Sequence, residues 1–199
     1  MRAAIDRIRE DPDRLSTWLD RLFLVFKAMD AGYAEAAERC GFVCRGCEEN
    51  CCRTRFHHHT FLEYLSIYRG VMELTAREKE VVKKKAGENR RKYAAADAAG
   101  SPVTVWCPLN GDGRCVVYAY RPMICRLHGI PHELHHPGGK IVRGAGCASF
   151  EVQRQCGVEF SLDRTPFYKA MAHLEKAFRV TAGVNGGLKL TIAEMIGTF

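Results

Sequence analysis

The chain of 199 residues is 47% hydrophobic and 27% charged and carries a net charge of +7, the composition of a globular protein. Its longest apolar run, residues 22–26, is too short to cross a bilayer, and the charged first fourteen residues contain no signal-peptide core. We therefore expect a cytoplasmic protein with no membrane partner, folded as a single domain over residues 1–199.

Helical periodicity and capping signals mark the first half of the chain. Apolar side chains recur every three or four positions over residues 15–31, which predicts an amphipathic helix. Thr60 and Thr75 are each followed by glutamate three residues later, the pattern of a capped helix start. The second of these helices would end at Gly100, because glycine readily takes the left-handed conformation that closes a helix.

Most of the net positive charge of the chain lies in this second helix. Residues 75–92 contain eight Lys and Arg against three Glu, a net charge of +5 out of the total of +7. Such a helix is usually a solvated face, with an acidic partner or a nucleic acid as the alternative. No nucleic-acid motif or series of aromatic residues accompanies it, so we expect no nucleic-acid partner.

A tight β-hairpin is predicted in the middle of the chain. Residues 103–106 form a β-like run, and the turn-forming stretch NGDG follows at 110–113. A turn centred on Gly111 would place Cys107 and Cys115 opposite each other on the two strands.

The last third of the chain is predicted to be a loop followed by helices. Residues 132–146, rich in His, Pro and Gly, should form a loop with at most a short strand at 140–142. Thr165-Pro166 opens a helix with an apolar stripe, and Thr191, with glutamate three residues later, caps a short terminal helix.

The predicted fold class is therefore α+β and mostly helical. Residues 1–39 and 160–199 provide flanking helices, and residues 40–147 form a cysteine-cluster core. We expect helices around a small, irregular, metal-organised centre that contains the short β-hairpin.

Ten cysteines are the strongest functional signal. Four of them lie within nine positions in the stretch CRGCEENCC, residues 44–52. Because cytoplasmic thiols are kept reduced, we expect metal ligands or redox groups and not structural disulfides. Cys44 and Cys47 are separated by two residues, a spacing that lets both sulfurs turn toward one ion.

Further cysteines follow this box in an ordered series of short motifs. The series comprises Cys107-Pro108, Cys115-Val116-Val117-Tyr118, Arg121-Pro122-Met123-Ile124-Cys125-Arg126 and Cys147. Together with the box, which has one more residue than the usual CxxCxxCC, it resembles the pattern of the YkgJ-type cysteine-cluster family. Members of that family are described as zinc- or iron-chelating domains.

The resemblance implies that the protein binds metal ions through eight cysteines. These are Cys44, Cys47, Cys51, Cys52, Cys107, Cys115, Cys125 and Cys147. The family label implies chelation and not a reaction, and the sequence contains no catalytic residues and no cofactor loop that we would assign. Whether the protein is an enzyme therefore stays open.

Zinc is slightly favoured over an iron–sulfur cluster. Closely spaced cysteine pairs that combine with distant cysteines are typical of tetrahedral zinc sites. The cysteine spacing of this chain also differs from that of ferredoxins. In the opposite direction, Arg121 and Arg126 close to Cys125 could balance a negatively charged iron–sulfur centre.

Enzymes and interaction modules are the competing functional classes. A relative with the same cysteine domain, the flagellin lysine N-methylase, is an enzyme, but the present chain lacks a glycine-rich loop for S-adenosylmethionine. Cys40, Cys44 and Cys47 also match the three-cysteine motif of radical S-adenosylmethionine enzymes, without the repeated βα units of their barrel. Two further hypotheses are an iron–sulfur redox protein and a zinc-ordered module that binds nucleic acid or protein.

Several candidate residues fall outside the family pattern. Cys40 and Cys156 are expected to be spare thiols. Of the tract His57–His59 at most one ring could bind a metal, and a solvated segment is the expectation. His128, which follows Cys125 closely, is the best histidine candidate for a ligand, and the sequence identifies no protein partner.

Overall fold

The computed structural model describes residues 2–45 and 50–199, which divide into two compact units. Unit 1 comprises the described residues of 1–50 and 123–185, and unit 2 comprises residues 51–122 and 186–199. The helices are α1 (Arg2–Arg9), α2 (Pro12–Arg39), α3 (Phe61–Met72), α4 (Ala76–Ala99), α5 (Met123–Arg126), α6 (Ala148–Gln153), α7 (Thr165–Ala182) and α8 (Ile192–Ile196). The strands are β1 (Asn110–Gly111), β2 (Arg114–Cys115), β3 (His132–His135), β4 (Ile141–Gly144) and β5 (Leu162–Asp163). The fold class is thus α+β and mostly helical, as predicted.

Two long helices, α2 and α7, build the main core of unit 1. Asp11 starts α2 by accepting a hydrogen bond from the Arg14 backbone N–H at 3.0 Å. The ring of Trp18 on α2 meets Phe178 of α7 edge-on, with centroids 5.3 Å apart, and both side chains are buried. The helix continues beyond the predicted 15–31 because the residues that follow are mainly alanine and glutamate, both strong helix formers.

A second apolar cluster in unit 1 contains two cysteines that are joined to each other. Cys40, at the end of α2, is fully buried and forms a disulfide with Cys156. Phe42 and Phe150 pack beside it with ring centroids 5.2 Å apart. The expectations that Cys40 and Cys156 are spare thiols and that the cysteines form no structural disulfide are therefore wrong. Their separation of 116 residues along the chain hid a pairing that the fold creates.

The segment predicted as a loop at 132–146 contributes two strands of a three-stranded sheet in unit 1. The strand order is β4-β3-β5, with β3 antiparallel to β4 and parallel to β5. The register pairs Leu134 with Val142 and His132 with Gly144. Strand β4 overlaps the short strand predicted at 140–142. Strand β3 was missed because it is short and lies in a segment rich in His, Pro and Gly, and because its partner β5 joins it from beyond position 160.

Three capped helices, α3, α4 and α8, organise unit 2. The side chains of Thr60, Thr75 and Thr191 each accept a hydrogen bond from the backbone N–H three residues later, as the sequence predicts. At Thr75 and Thr191 the glutamate also accepts from the threonine backbone N–H, which completes a capping box. Helix α4 ends at Gly100, which has a left-handed φ of 60°.

The predicted hairpin exists, but it is shorter and its register differs from the prediction. Asn110 pairs with Cys115 and Gly111 with Arg114, so the turn is centred between residues 112 and 113. Cys107 therefore lies before the ladder and not opposite Cys115, and residues 103–106 form no strand. The turn shifts because Asp112 and Gly113 both adopt positive φ, as a tight two-residue hairpin turn requires.

The histidine tract is not a fully solvated segment, because its central residue is buried in unit 2. The backbone of His58 exchanges two hydrogen bonds with Leu190, at 2.8 and 3.1 Å. The ring is only 3% exposed, and its Nε2 atom has no hydrogen-bond partner. Burial is the main cause that lowers the pKa of His58 to about 4, with smaller contributions from His59 and His57. The flanking His59 is exposed.

Within residues 2–45 and 50–199, none of the helices combines the length and the apolar character needed to span a membrane.

Removing the Cys40–Cys156 disulfide should destabilise unit 1. A bridge across 116 residues strongly restricts the unfolded chain, so the double variant Cys40→Ala/Cys156→Ala should lose about 2–5 kcal/mol. Denaturant unfolding of the oxidised protein, followed by fluorescence, measures the change. The reduced wild-type protein is the matched control and should behave like the double variant. Identical unfolding midpoints for the oxidised wild type and the variant would contradict the pairing.

Acidification should destabilise unit 2 through His58. The unfolded chain binds a proton near pH 6.5 and the folded one only near pH 4, so stability falls as the pH drops through this window. At pH 4.5 the loss is about 2–3 kcal/mol. The variant His58→Phe should remove this part of the loss in denaturant unfolding at pH 7 and 4.5, whereas the exposed control His59→Phe should retain it. A pH dependence that is the same in His58→Phe and wild type would contradict this account.

Candidate metal centre

Four of the eight candidate cysteines lie in unit 2 and approach one another there. They are Cys51, Cys52, Cys107 and Cys115, and all are half-buried and outside the disulfide. The backbone N–H of Cys107 donates to the carbonyl oxygen of Cys52 at 2.6 Å, which ties the two cysteine-bearing segments together. The side chain of Cys52 is hydrogen-bonded to Cys51 and to Asn110, the residue opposite Cys115 in the hairpin.

The electrostatics of these thiols reflect their crowding. The hydrogen bond with Cys51, followed by burial, raises the pKa of Cys52 well above its ordinary value. Burial is the main cause that raises the pKa of Cys107, and the neighbouring Cys52, Cys115 and Cys51 raise it further. Because ionised neighbours repel one another, thiolates at Cys52 and Cys107 would be stabilised by a bound cation.

The hairpin and helix α4 hold this group in place. Lys85 donates from Nζ to the carbonyl oxygen of Asn110 at 2.9 Å, and Asn89 donates from Nδ2 to that of Trp106 at 2.7 Å. The residues on either side of Cys107 are therefore fixed to one side of α4. Cys107 joins the group through its backbone bond to Cys52 and not through the predicted cross-strand pairing with Cys115.

Of the other four candidates, the structure describes three, and these belong to unit 1. Cys44 is exposed, Cys125 lies in α5, and Cys147 caps the start of α6. The fourth, Cys47, lies outside the described residues. The backbone N–H of Cys147 donates to the carbonyl oxygen of Gly129 at 2.9 Å. A β-carbon added to Gly129, which has a φ of 104°, would lie 3.5 Å from the sulfur of Cys147.

A network around the disulfide positions the segments that carry Cys44 and Cys147. The backbone N–H of Gln155 donates to the carbonyl oxygen of Cys40 at 2.9 Å. Next along the chain, the Val43 N–H donates to Oε1 of Gln153 at 3.0 Å. Helix α6, which begins directly after Cys147, is thereby attached to the chain just before Cys44.

Two buried arginines lie in unit 1, one as the last residue of α5 and one against the residues that follow α5. The guanidinium of Arg126 bonds to Asp30 at 2.6 Å and lies over the ring of Phe26. Arg164, 2% exposed, donates to the carbonyl oxygens of Leu127 and Ile130, and burial lowers its pKa to about 10. Arg164 was not identified from the sequence, since no local signal distinguishes an arginine that caps carbonyls more than thirty residues away.

The remaining candidates take different places. Arg121, which was expected beside Cys125, stacks on Tyr118 at 3.5 Å and lowers the pKa of Cys52 slightly against the raising causes. His128 is half-buried, and its role as a ligand stays a prediction. In the part of the chain that the structure describes, no group of three or more His, Cys, Asp or Glu side chains is arranged as a complete metal site. The cysteines of unit 2 are therefore close together without being in coordination geometry.

A comparison with protein-family models identifies the relationship of this arrangement to known domains. Residues 43–139 match the family CxxCxxCC, described as "Putative zinc- or iron-chelating domain". No curated protein and no solved structure gives a significant match. The matched segment includes the cysteine box, the hairpin cysteines and Cys125, and it ends before Cys147. This match, over just under half of the chain, confirms the family that the cysteine motifs indicated.

Proposed function

We propose that this protein binds metal through two separate sets of four cysteines, one in each unit. The unit 2 set consists of Cys51, Cys52, Cys107 and Cys115. The unit 1 set consists of Cys44, Cys47, Cys125 and Cys147. The observation that carries the proposal is the approach of the four unit 2 thiols to one another, within a family described as metal-chelating.

The division of the cysteines supports two sets better than one. The boundary between the units falls at residues 50 and 51, so it separates Cys47 from Cys51 inside the cysteine box. The additional residue that this box has relative to CxxCxxCC lies in the same stretch. The pair Cys44 and Cys47 would thus bind metal in unit 1, and the adjacent pair Cys51 and Cys52 would bind metal in unit 2.

The chemistry of the donors fits the metals named by the family. Four thiolates around one ion make a complete structural zinc site, and the same number can hold an iron–sulfur cluster. Zinc is our preferred metal, since the four ligands of unit 2 come from two segments that are distant in sequence, as in closed tetrahedral sites. A bound dication would neutralise the repulsion between neighbouring thiolates.

The residues of the chain would orient the ligands and contribute little else to the chemistry. The Cys52–Cys107 backbone bond and the hairpin hold the unit 2 thiols half-buried. In unit 1 the Gly129 carbonyl fixes the backbone of Cys147. Metal binding would then add folding free energy to the loops that carry the cysteines. We propose no reaction, because no set of catalytic groups accompanies the cysteines in the sequence.

Replacing one cysteine of each set should remove the metal from one unit only. Anaerobically purified wild type should contain two zinc ions or two clusters per chain, in accordance with two four-ligand sites. Cys107→Ser should lose the unit 2 metal and keep the other, and Cys147→Ser should do the reverse. Elemental analysis gives the metal content, and the absorption spectrum distinguishes colourless zinc from an iron–sulfur centre.

The two variants are matched controls for each other, and Cys40→Ala/Cys156→Ala should retain the unit 2 metal. Complete loss of metal in both single variants would indicate one shared centre. Wild-type protein without bound metal, after anaerobic purification in the presence of zinc and iron, would contradict the proposal.

A further inference from the structure

We infer that unit 2 has a second activity, the binding of single-stranded nucleic acid, on a surface beside its cysteines. The surface consists of two exposed aromatic rings, Trp106 and Tyr118, each with an arginine on its face, and of the exposed basic side chains of α4. This activity goes beyond metal binding and does not depend on which metal the cysteines hold.

The aromatic rings are exposed although residues of this kind usually bury their surface. Trp106 is 49% exposed and Tyr118 is 62% exposed. The guanidinium of Arg53 lies 5.3 Å from the centre of the Trp106 ring, and that of Arg121 lies 3.5 Å from the centre of the Tyr118 ring. Proteins that bind single strands use such rings to stack on bases, and arginine adds cation–π contacts and charge.

Both ring–arginine pairs lie in the part of unit 2 that contains the hairpin and Cys52. Arg53 follows Cys52 directly, and Trp106 precedes Cys107, whose N–H donates to the Cys52 carbonyl oxygen. Tyr118 follows β2, and the N–H of Val116 donates to the carbonyl oxygen of Leu109, two residues after Cys107, at 2.9 Å. The two stacking elements therefore belong to one region of unit 2, although 12 positions separate the rings in sequence.

Helix α4 continues this region with positive charge. The Asn89 side chain donates a hydrogen bond to the backbone carbonyl oxygen of Trp106. Lys85 lies one turn earlier on the same side of the helix and donates to the carbonyl oxygen of Asn110. Lys92 lies one turn further along this side and is exposed, as is its neighbour Arg91. The exposed basic residues of α4 thus begin within one turn of the residue that binds the Trp106 backbone.

The distribution of charge fits a polyanion. Unit 2 contains fourteen Lys and Arg against eight Asp and Glu, a net charge of +6, whereas unit 1 has sixteen against fifteen. Among the described residues, none of the eight basic side chains of α4 forms an ion pair with an Asp or Glu side chain. Lys83 and Lys85 donate to backbone carbonyl oxygens, and the exposed Arg91 and Lys92 can offer their charge to phosphates, which dominate the affinity of nucleic-acid binding.

The combination of rings and charge favours a single strand over other polyanions. A duplex hides the faces of its bases, and an acidic peptide would use the lysines without a partner for Trp106 and Tyr118. No nucleic-acid partner was predicted from the sequence, because no series of aromatic residues is visible in it. The aromatic residues come from separate segments, and only the fold places them in the part of unit 2 that contains the hairpin and Cys52.

Binding can be measured on the full-length protein as purified, after its metal content has been determined. The probes are labelled oligo(dT) of about 20 nucleotides, a duplex of the same length and an acidic peptide of matched charge, followed by anisotropy. Oligo(dT) should bind at least about five-fold more tightly than the other two. It should also quench the fluorescence of the exposed Trp106, while Trp18, buried against Phe178, should stay unchanged.

Two variants separate stacking from charge. Trp106→Ala should weaken oligo(dT) binding at least about five-fold and leave the salt dependence unchanged, because it removes a stacking ring and no cation. Arg91→Glu/Lys92→Glu should weaken binding and reduce the dependence on salt between about 50 and 150 mM. The matched controls in unit 1 are Tyr168→Ala, also an exposed aromatic residue, and Lys169→Glu/Lys176→Glu, an exposed pair on α7. Both controls should bind like wild type.

Several outcomes would overturn the inference. Equal weakening by the unit 1 charge variant would show attraction by net charge alone. Tighter binding of the duplex or of the acidic peptide would assign the surface to that class of partner. Unchanged affinity in both Trp106→Ala and Tyr118→Ala would show that the rings take no part. Metal content measured on the same samples keeps these results separate from a failure of metal binding.

Discussion

The hydrogen bond from the Cys107 N–H to the Cys52 carbonyl oxygen, at 2.6 Å, is the contact on which the functional part of unit 2 depends. It joins two segments that are 55 positions apart and brings their cysteines together without a regular sheet between them. The thiols, the hairpin and the exposed rings would gain further order from a bound ligand. A metal bound by the four thiols would stabilise the same arrangement that presents Trp106.

Local signals in the sequence were sufficient to predict the capped helices and the family. The threonine caps at Thr60, Thr75 and Thr191 and the glycine at position 100 act within one turn of the chain, so they could be read without knowledge of the fold. The cysteine motifs are short and ordered and indicated the family for the same reason.

The sheet at 132–146, the Cys40–Cys156 disulfide and the buried Arg164 depend on partners that are distant in sequence. No periodicity or spacing in the sequence indicates such partners. The predicted hairpin register was wrong because residues 112–113, which both have positive φ, shift the turn.

The disulfide changes the physical description of unit 1. It fixes the end of α2 to the segment after α6, and the Gln155 and Gln153 hydrogen bonds extend this attachment to the chain beside Cys44. The spacing between the Cys44 segment and the start of α6 at Cys147 is therefore set partly by a covalent bond. Disulfides persist mainly in oxidising compartments, and those found in reducing ones are often redox-sensitive. The cytoplasmic location expected from the sequence stays a prediction, and in a reducing compartment the rigidity of this unit would depend on the thiol–disulfide balance.

The two activities proposed for unit 2 are coupled through charge. A zinc ion held by four thiolates leaves a net negative centre, and Arg53 and Arg121 lie on the rings closest to the cysteines, where they would balance it. When a strand of nucleic acid approaches, its phosphates would compete with the thiolate centre for the same two guanidinium groups. The exposed lysines of α4, which have no acidic side chain to pair with among the described residues, would then carry most of the phosphate attraction. The arginines would mainly keep the Trp106 and Tyr118 rings in place for stacking. Removal of the metal would free or reorient these arginines, so the affinity for a single strand would depend on metal occupancy, and by linkage the affinity for metal would depend on the bound strand.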